Sequence, residues 1–118
     1  MKLVDDPETA EWLGQFAGRS ENFDWDRGNQ TKNRKHGVGQ ADIEALFRFS
    51  LVFVGRITEP THPETRWLKL GQDAESRQLA LVFTRRGDKL RPISCRPMRR
   101  DERRIYEDTL KEDSAKEE

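Results

Sequence analysis

Lys32, Lys35 and His36 stand at positions i, i+3 and i+4, a spacing that lines three side chains along one face of a helix. The stretch that holds them, "KNRKHGV" (Lys32 to Val38), offers only Val38 for burial. Near a helix C-terminus the macrodipole favours positive charge and raises the tendency of a histidine to protonate. Two readings follow from the spacing: solvated bases that compensate the dipole, or a cationic acid–base group beside a phosphate. A second constellation is "LRPISCR". Regular alternation sends Arg91, Ile93 and Cys95 one way and Leu90, Pro92, Ser94 and Arg96 the other. With Ile93 and Cys95 facing the core, Ser94 and Arg96 face outward and Arg91 sits at the core rim. Arg85, Arg86, Arg99 and Arg100 flank the same strand. The planar fork of arginine suits phosphate oxygens bidentately; the alternative is a surface ladder of ion pairs. Third, Glu102 shares the apolar side of the last helix with Met98, Ile105 and Tyr106. A carboxylate there needs a partner, from Arg99 or from a strand arginine.

These residue types narrow the chemistry. His36, His62 and the single Cys95 form no zinc-binding spacing, and no metal or other cofactor is expected. A serine or cysteine nucleophile with a histidine base is unsupported, and the glycines stand isolated rather than in a phosphate-binding loop. A site of Lys, His, Arg, Glu and Tyr suits cleavage of RNA by its own 2′-hydroxyl. That reaction needs a base, an acid and cations on the phosphorane; a base or acid supplies roughly 10²–10⁴-fold each, and preorganised cations a comparable or larger factor.

The elements that must position these groups are legible from period and punctuation. "DPETAEWLGQFAG" reads as a helix capped by Asp6, with Pro7 at its first position and Gly18 as its stop. Its apolar stripe is Trp12, Leu13 and Phe16. Phe23 and Trp25 share one side of a short strand. Asp26 caps a second helix that runs to Lys35 and stops at Gly37. A third spans about Gln40 to Phe47, with Ile43, Leu46 and Phe47 facing the core. Strands follow in "FSLVFVGRI", "TRWLKLG", "QLALVFT" (the most apolar run, expected at the centre) and "KLRPISCR". "RRGD" is the last turn, and Pro92 marks an edge position or a bulge. A helix from about Arg99 to Leu110 ends the folded part, and 111–118 reads as a disordered acidic tail.

The chain has 118 residues, enough for one domain with a small core. Charged residues make up 37% and formal net charge is zero, which hides the layout. Residues 27–37 hold four bases and no acid, and residues 85–104 hold nine bases against three acids; both termini are acidic. Two basic blocks suggest a surface that meets a polyanion or an acidic partner. No run approaches the ~20 apolar residues of a membrane span. The absence of an apolar signal core and the lone cysteine fit a reducing cytoplasm. No helix pairs a recognition pattern with enough core anchoring to suggest a DNA-binding module.

Read together, "FDWDRGNQTKNRKHGV…IEALF", "ETRWLKLG", "LALVFTRRGDKLRPISCRPM" and "ERRIYE" resemble the BrnT family, small toxins of type II toxin–antitoxin systems. The pattern runs from about Phe23 to Glu107. The resemblance implies an α+β, RelE-like fold: an antiparallel β-sheet flanked by two N-terminal helices and one C-terminal helix. Here an N-terminal helical extension (1–22) precedes the toxin domain (23–110) and the tail (111–118). Cys95 stands where the family usually has alanine, and residues 47–64 fit loosely. The resemblance further implies a cytoplasmic, metal-independent endoribonuclease that blocks growth and is neutralised by a BrnA-type DNA-binding antitoxin; DNA is met only through that partner. The residues expected to carry catalysis are Lys32, Lys35, His36, Arg91, Arg96 and Glu102. Arg66, Arg85, Arg86, Ser94, Arg99, Arg100 and Tyr106 are expected to bind RNA. The alternative is a non-catalytic relative whose basic face only binds an acidic antitoxin segment or RNA.

Overall fold

The computed structural model describes residues 1–49 and 51–117, with the backbone alone at 116 and 117. Ser50, inside the first of the four expected strand segments, and Glu118 of the tail lie outside the described residues. Five strands form one antiparallel meander in chain order: β1 (Lys2–Val4), β2 (Leu51–Glu59), β3 (Trp67–Gln72), β4 (Gln78–Arg86) and β5 (Lys89–Pro97). The middle strand is therefore β3, with β4 the interior strand beside it, because the three-residue β1 adds an extra edge. Too short to give an alternating pattern, β1 has no counterpart in the sequence reading.

Helices cover both faces. On one face, α1 (Pro7–Gln15) and α3 (Gln40–Ala45) pack over Leu79, Leu81, Phe83, Leu90 and Cys95. On the other, α4 (Arg100–Glu117) contributes Tyr106 to a cluster with Val52, Leu68, Leu70, Ala80 and Met98. Burial of both faces explains why β3 and β4 read as nearly continuous apolar runs.

The first 22 residues are built into this core. Asp6 caps α1 by accepting from Thr9 N at 3.1 Å, and Trp67 Nε1 donates to its other oxygen at 2.7 Å. Leu13 is buried, and Trp12 and Phe16 pack beside it. The helix ends at Gln15, before Gly18. Gly18 serves close packing instead: a Cβ there would lie 2.6 Å from Phe47 Cβ. At the other terminus α4 runs on to Glu117, so residues 111–117 are helical where a disordered tail is expected. They contain no glycine or proline, and Lys, Glu and Ala are good helix formers.

Pro92 behaves as read: β5 is an edge strand, and its register against β4 skips Ile93, a bulge. One buried cation has no signal in the sequence pattern. Lys69 on β3 is 1% exposed, with its Nζ 3.5 Å from the Phe47 ring centre and no hydrogen-bond partner among the described residues. Burial pushes its amine well below the ordinary lysine range.

Candidate functional site

Residues 23–37 run alongside the free edge of β5 and close it. Phe23 bridges Leu90 in parallel, and Asp24 N donates to Leu90 O at 2.9 Å. Asn29 Nδ2 donates to Pro92 O at 3.0 Å, and Asn33 Oδ1 accepts from Cys95 N at 3.1 Å. Both asparagines are buried. They satisfy edge groups that would otherwise invite another strand. The cost is a broken helix: α2 covers only Arg27–Gln30, followed by a turn and a 3₁₀ segment, Arg34–His36. Asp26 caps α2 as expected, in a reciprocal capping box with Asn29. The single helix expected as far as Lys35 is thus corrected, and with it the shared helical face of Lys32, Lys35 and His36. Gly37 takes φ 68 and closes the turn. All three basic side chains are exposed. Phe23 and Trp25 make no strand of their own, but Trp25 Nε1 donates to buried Glu44 at 2.9 Å.

The bulge at Ile93 changes which β5 residues share a face. Arg91, Ser94 and Arg96 oppose Thr84, Val82 and Ala80, which alternate along β4, so all three lie on the α4 side of the sheet. Regular alternation would separate Arg91 from the other two. Leu90, Pro92 and Cys95 are buried together on the other side. Burial pushes the Cys95 thiol up to about 12, which leaves an inert packing residue.

The β5 arginines are engaged by carboxylates. Arg91 lies at 3.0 Å from Asp26 and 3.6 Å from Asp24. Its hydrogen bond, with those of the Asn29 and Gly28 amides, holds the Asp26 carboxyl below its usual range. Arg96 pairs bidentately with Glu102, Nη1–Oε1 at 2.6 Å and Nη2–Oε2 at 2.9 Å, while Arg99 N donates to Oε1 at 2.8 Å. Burial pushes the Glu102 carboxyl up, but these donors outweigh it and the group stays below its ordinary value. The partner required for Glu102 is thus a strand arginine together with the Arg99 backbone. Arg86, at the tip of β4, is held by Glu64 at 3.0 Å, and Arg85 stacks on Trp12 at 4.1 Å. Tyr106 is 1% exposed and packs in the core cluster under α4. Ile105, expected beside it, is 41% exposed, because the buried face follows Glu102, Tyr106 and Leu110 at four-residue steps.

At the far end of β5 the charges are arranged differently. His36 lines a cleft of about 340 Å³ together with Ser76, Arg77, Gln78, Pro97 and Arg103. Arg77 positions this wall: it donates to Gly37 O at 2.9 Å and to Asp73 at 2.7 Å, and pairs with Asp42 at 3.4 Å. Burial raises the Asp73 carboxyl, yet the Arg77 backbone and guanidinium together outweigh it. Lys32, Lys35, His36, Arg100, Arg103 and Arg104 form no ion pair among the described residues. Arg103 and Arg77 are absent from the residues expected at the site. Arg103 had a signal, one helical turn beyond Arg99 in the second basic block; Arg77 sits in a short connection that gave none.

Arg91 and Pro97 are six β5 residues apart, about 20 Å of strand, so the expected site residues fall into two groups. His36, Arg96, Arg99, Arg100 and Glu102 gather around the C-terminal end of β5 and the start of α4. Arg66, Arg85, Arg86 and Arg91 gather at the opposite end. No three potential metal-ligating side chains cluster among the described residues, nor is any helix there long and apolar enough to cross a membrane.

A family model described as the ribonuclease toxin, BrnT, of type II toxin–antitoxin systems matches residues 25–102. The matched span takes in the edge segment, α3, β2–β5 and the first residues of α4, and leaves β1 and α1 outside. No curated protein matches the chain.

Proposed function

The chain belongs to the BrnT family of ribonuclease toxins of type II toxin–antitoxin systems, and from that premise we propose that it is a metal-independent endoribonuclease acting at the His36 cleft. The observation that carries this reading is the exposed imidazole on the wall of a cleft shared with Arg103, which forms no ion pair among the described residues.

The reaction follows from those groups. His36 takes the proton of the 2′-hydroxyl, the 2′-oxygen attacks phosphorus, and the bond from phosphorus to the 5′-oxygen breaks. Lys35 or Lys32 returns a proton to the leaving 5′-oxygen. The products are a 2′,3′-cyclic phosphate and a 5′-hydroxyl. Arg103 and Arg100 neutralise the charge that gathers on the phosphorane, where cations already in place need no reorganisation. Both oxygens of Glu102 are occupied by Arg96, which favours a positioning role for Glu102 over that of general base. Arg91 and Arg96 fix the two halves of β5, and Arg66, Arg85, Arg86 and Arg99 meet flanking phosphates. The fold reading that accompanies this activity is a RelE-like toxin domain, acting in the cytoplasm and inhibited by a BrnA-type antitoxin whose acidic segment covers the basic turn.

A second reading is favoured by one observation: Lys32, Lys35 and His36 have no side-chain hydrogen bond or ion pair among the described residues that would preorganise them. On that reading the basic face only binds RNA or the antitoxin. Labelled single-stranded RNA incubated with the protein in EDTA separates the two. Cleavage that disappears in His36→Ala and in an Arg100→Ala/Arg103→Ala variant, both still folded by thermal unfolding, supports the enzyme; salt-sensitive binding without any cleavage supports the binder.

A further inference from the structure

The connection between β2 and β3 encloses a pocket of about 220 Å³ at the end of the sheet opposite His36. Arg56, His62 and Arg66 are the basic residues of its lining, and Thr58, Thr61 and Thr65 add hydroxyls, of which Thr58 donates to Lys2 O and Thr61 to Thr58 O. The one carboxylate in its lining, Glu64, is already engaged: Arg86 donates to it from Nε at 3.2 Å and from Nη2 at 3.0 Å. Arg56, Arg66 and His62 form no ion pair among the described residues. The Arg66 Nε is buried with no hydrogen-bond partner among the described residues, and leaving such a donor unsatisfied is costly. The basic residues of the lining are thus left without a carboxylate partner among the described residues, because Glu64 is taken up by Arg86.

We propose that this pocket is a second phosphate subsite, which holds a phosphodiester of the same RNA several nucleotides from the scissile bond. Two guanidinium groups, an imidazole and a hydroxyl line one small pocket, and together they match the several oxygens of a phosphate. Strand β3 separates pocket from cleft by six residues, about 20 Å, so one extended RNA strand reaches both. The inference rests on the ribonuclease reading for the second site, though the pocket's own affinity can be measured without it.

The test uses the full chain, the double variant Arg56→Gln/His62→Gln, and two labelled substrates, a single-stranded 20-mer and a dinucleotide. The expected result on the 20-mer is a KM raised about tenfold with kcat unchanged, and a salt dependence of binding reduced by roughly 0.7 in log–log slope for each phosphate no longer held. The dinucleotide should be cleaved as by wild type, and Arg56→Lys should recover most of the 20-mer affinity. An unchanged KM and slope on the 20-mer would overturn the proposal, as would an equal loss on the dinucleotide. So would a defect confined to binding the antitoxin. If the wild type cleaves neither substrate, the ribonuclease reading fails, and binding of the uncleaved 20-mer by the same variants still decides the subsite.

Discussion

The arginines of β5 and the exposed bases of residues 32–36 and of α4 come from the same two basic blocks of the sequence, yet their surroundings differ. Arg91 and Arg96 each hold a carboxylate within 3.0 Å, from Asp26 and Glu102. Lys32, Lys35, His36, Arg100 and Arg103 hold none among the described residues. The first group ties elements together: Arg91 joins the edge segment to β5, and Arg96 joins β5 to the first turn of α4. The second group leaves its positive charge open to a polyanion. Basic residues of one chain thus divide into those the fold uses and those it leaves free, and the dividing fact is the nearest carboxylate.

Breaking a tied pair should be felt mainly as stability. Glu102→Ala leaves Arg96 largely buried and unpaired, and should cost about 3–5 kcal/mol, read by urea denaturation. The sign with pH is fixed by the lowered folded-state pKa of Glu102. Its contribution is complete above the unfolded value near 4.5 and is lost as pH falls through the folded value. The gap between wild type and variant should therefore narrow in acid. Asn33→Ala removes the acceptor for the buried Cys95 amide and should cost about 1–3 kcal/mol, with a thermal shift as readout.

Lys69 is a buried amine with no carboxylate partner among the described residues. Lys69→Met should stabilise by about 1–3 kcal/mol, the cost of an unsatisfied buried polar group. Burial lowers the folded-state pKa of this amine, so wild-type stability should rise with pH from that lowered value to the unfolded lysine value, about 10.4. The variant should lose that slope. At the small end, Lys32→Ala and Lys35→Ala should each change stability by no more than about 0.5 kcal/mol, while each lowers the salt dependence of RNA binding by roughly 0.7 in log–log slope.

The division between tied and free was only partly legible in the sequence. The inward carboxylate of Glu102 demanded a partner, and a strand arginine supplies it; Pro92 announced the edge and the bulge. What the bulge does to the faces was not legible, since alternation counts residues and a bulge removes one from the count. The stretch from Arg27 to Lys35 read as one helix because buried Asn29 and Asn33 look like ordinary exposed polar residues. The bonds that break the helix reach β5 positions 63 and 62 residues away, beyond any local pattern. Helical periodicity placed Tyr106 on the apolar side of α4, and it is buried there; it placed Ile105 beside it, and that residue is exposed. The acidic tail was read from charge alone, while its helix propensity, uninterrupted by glycine or proline, carried α4 through it.

The proposed chemistry is proton transfer by His36 at its cleft. Its most direct measurement is the single-turnover cleavage of a labelled RNA in EDTA by wild type and by His36→Ala, at saturating protein and with thermal unfolding as the control. Wild type should leave a 2′,3′-cyclic phosphate end, and the variant should slow by roughly 10²-fold or more with an unchanged melting temperature. Cleavage by the variant at the wild-type rate would contradict the account.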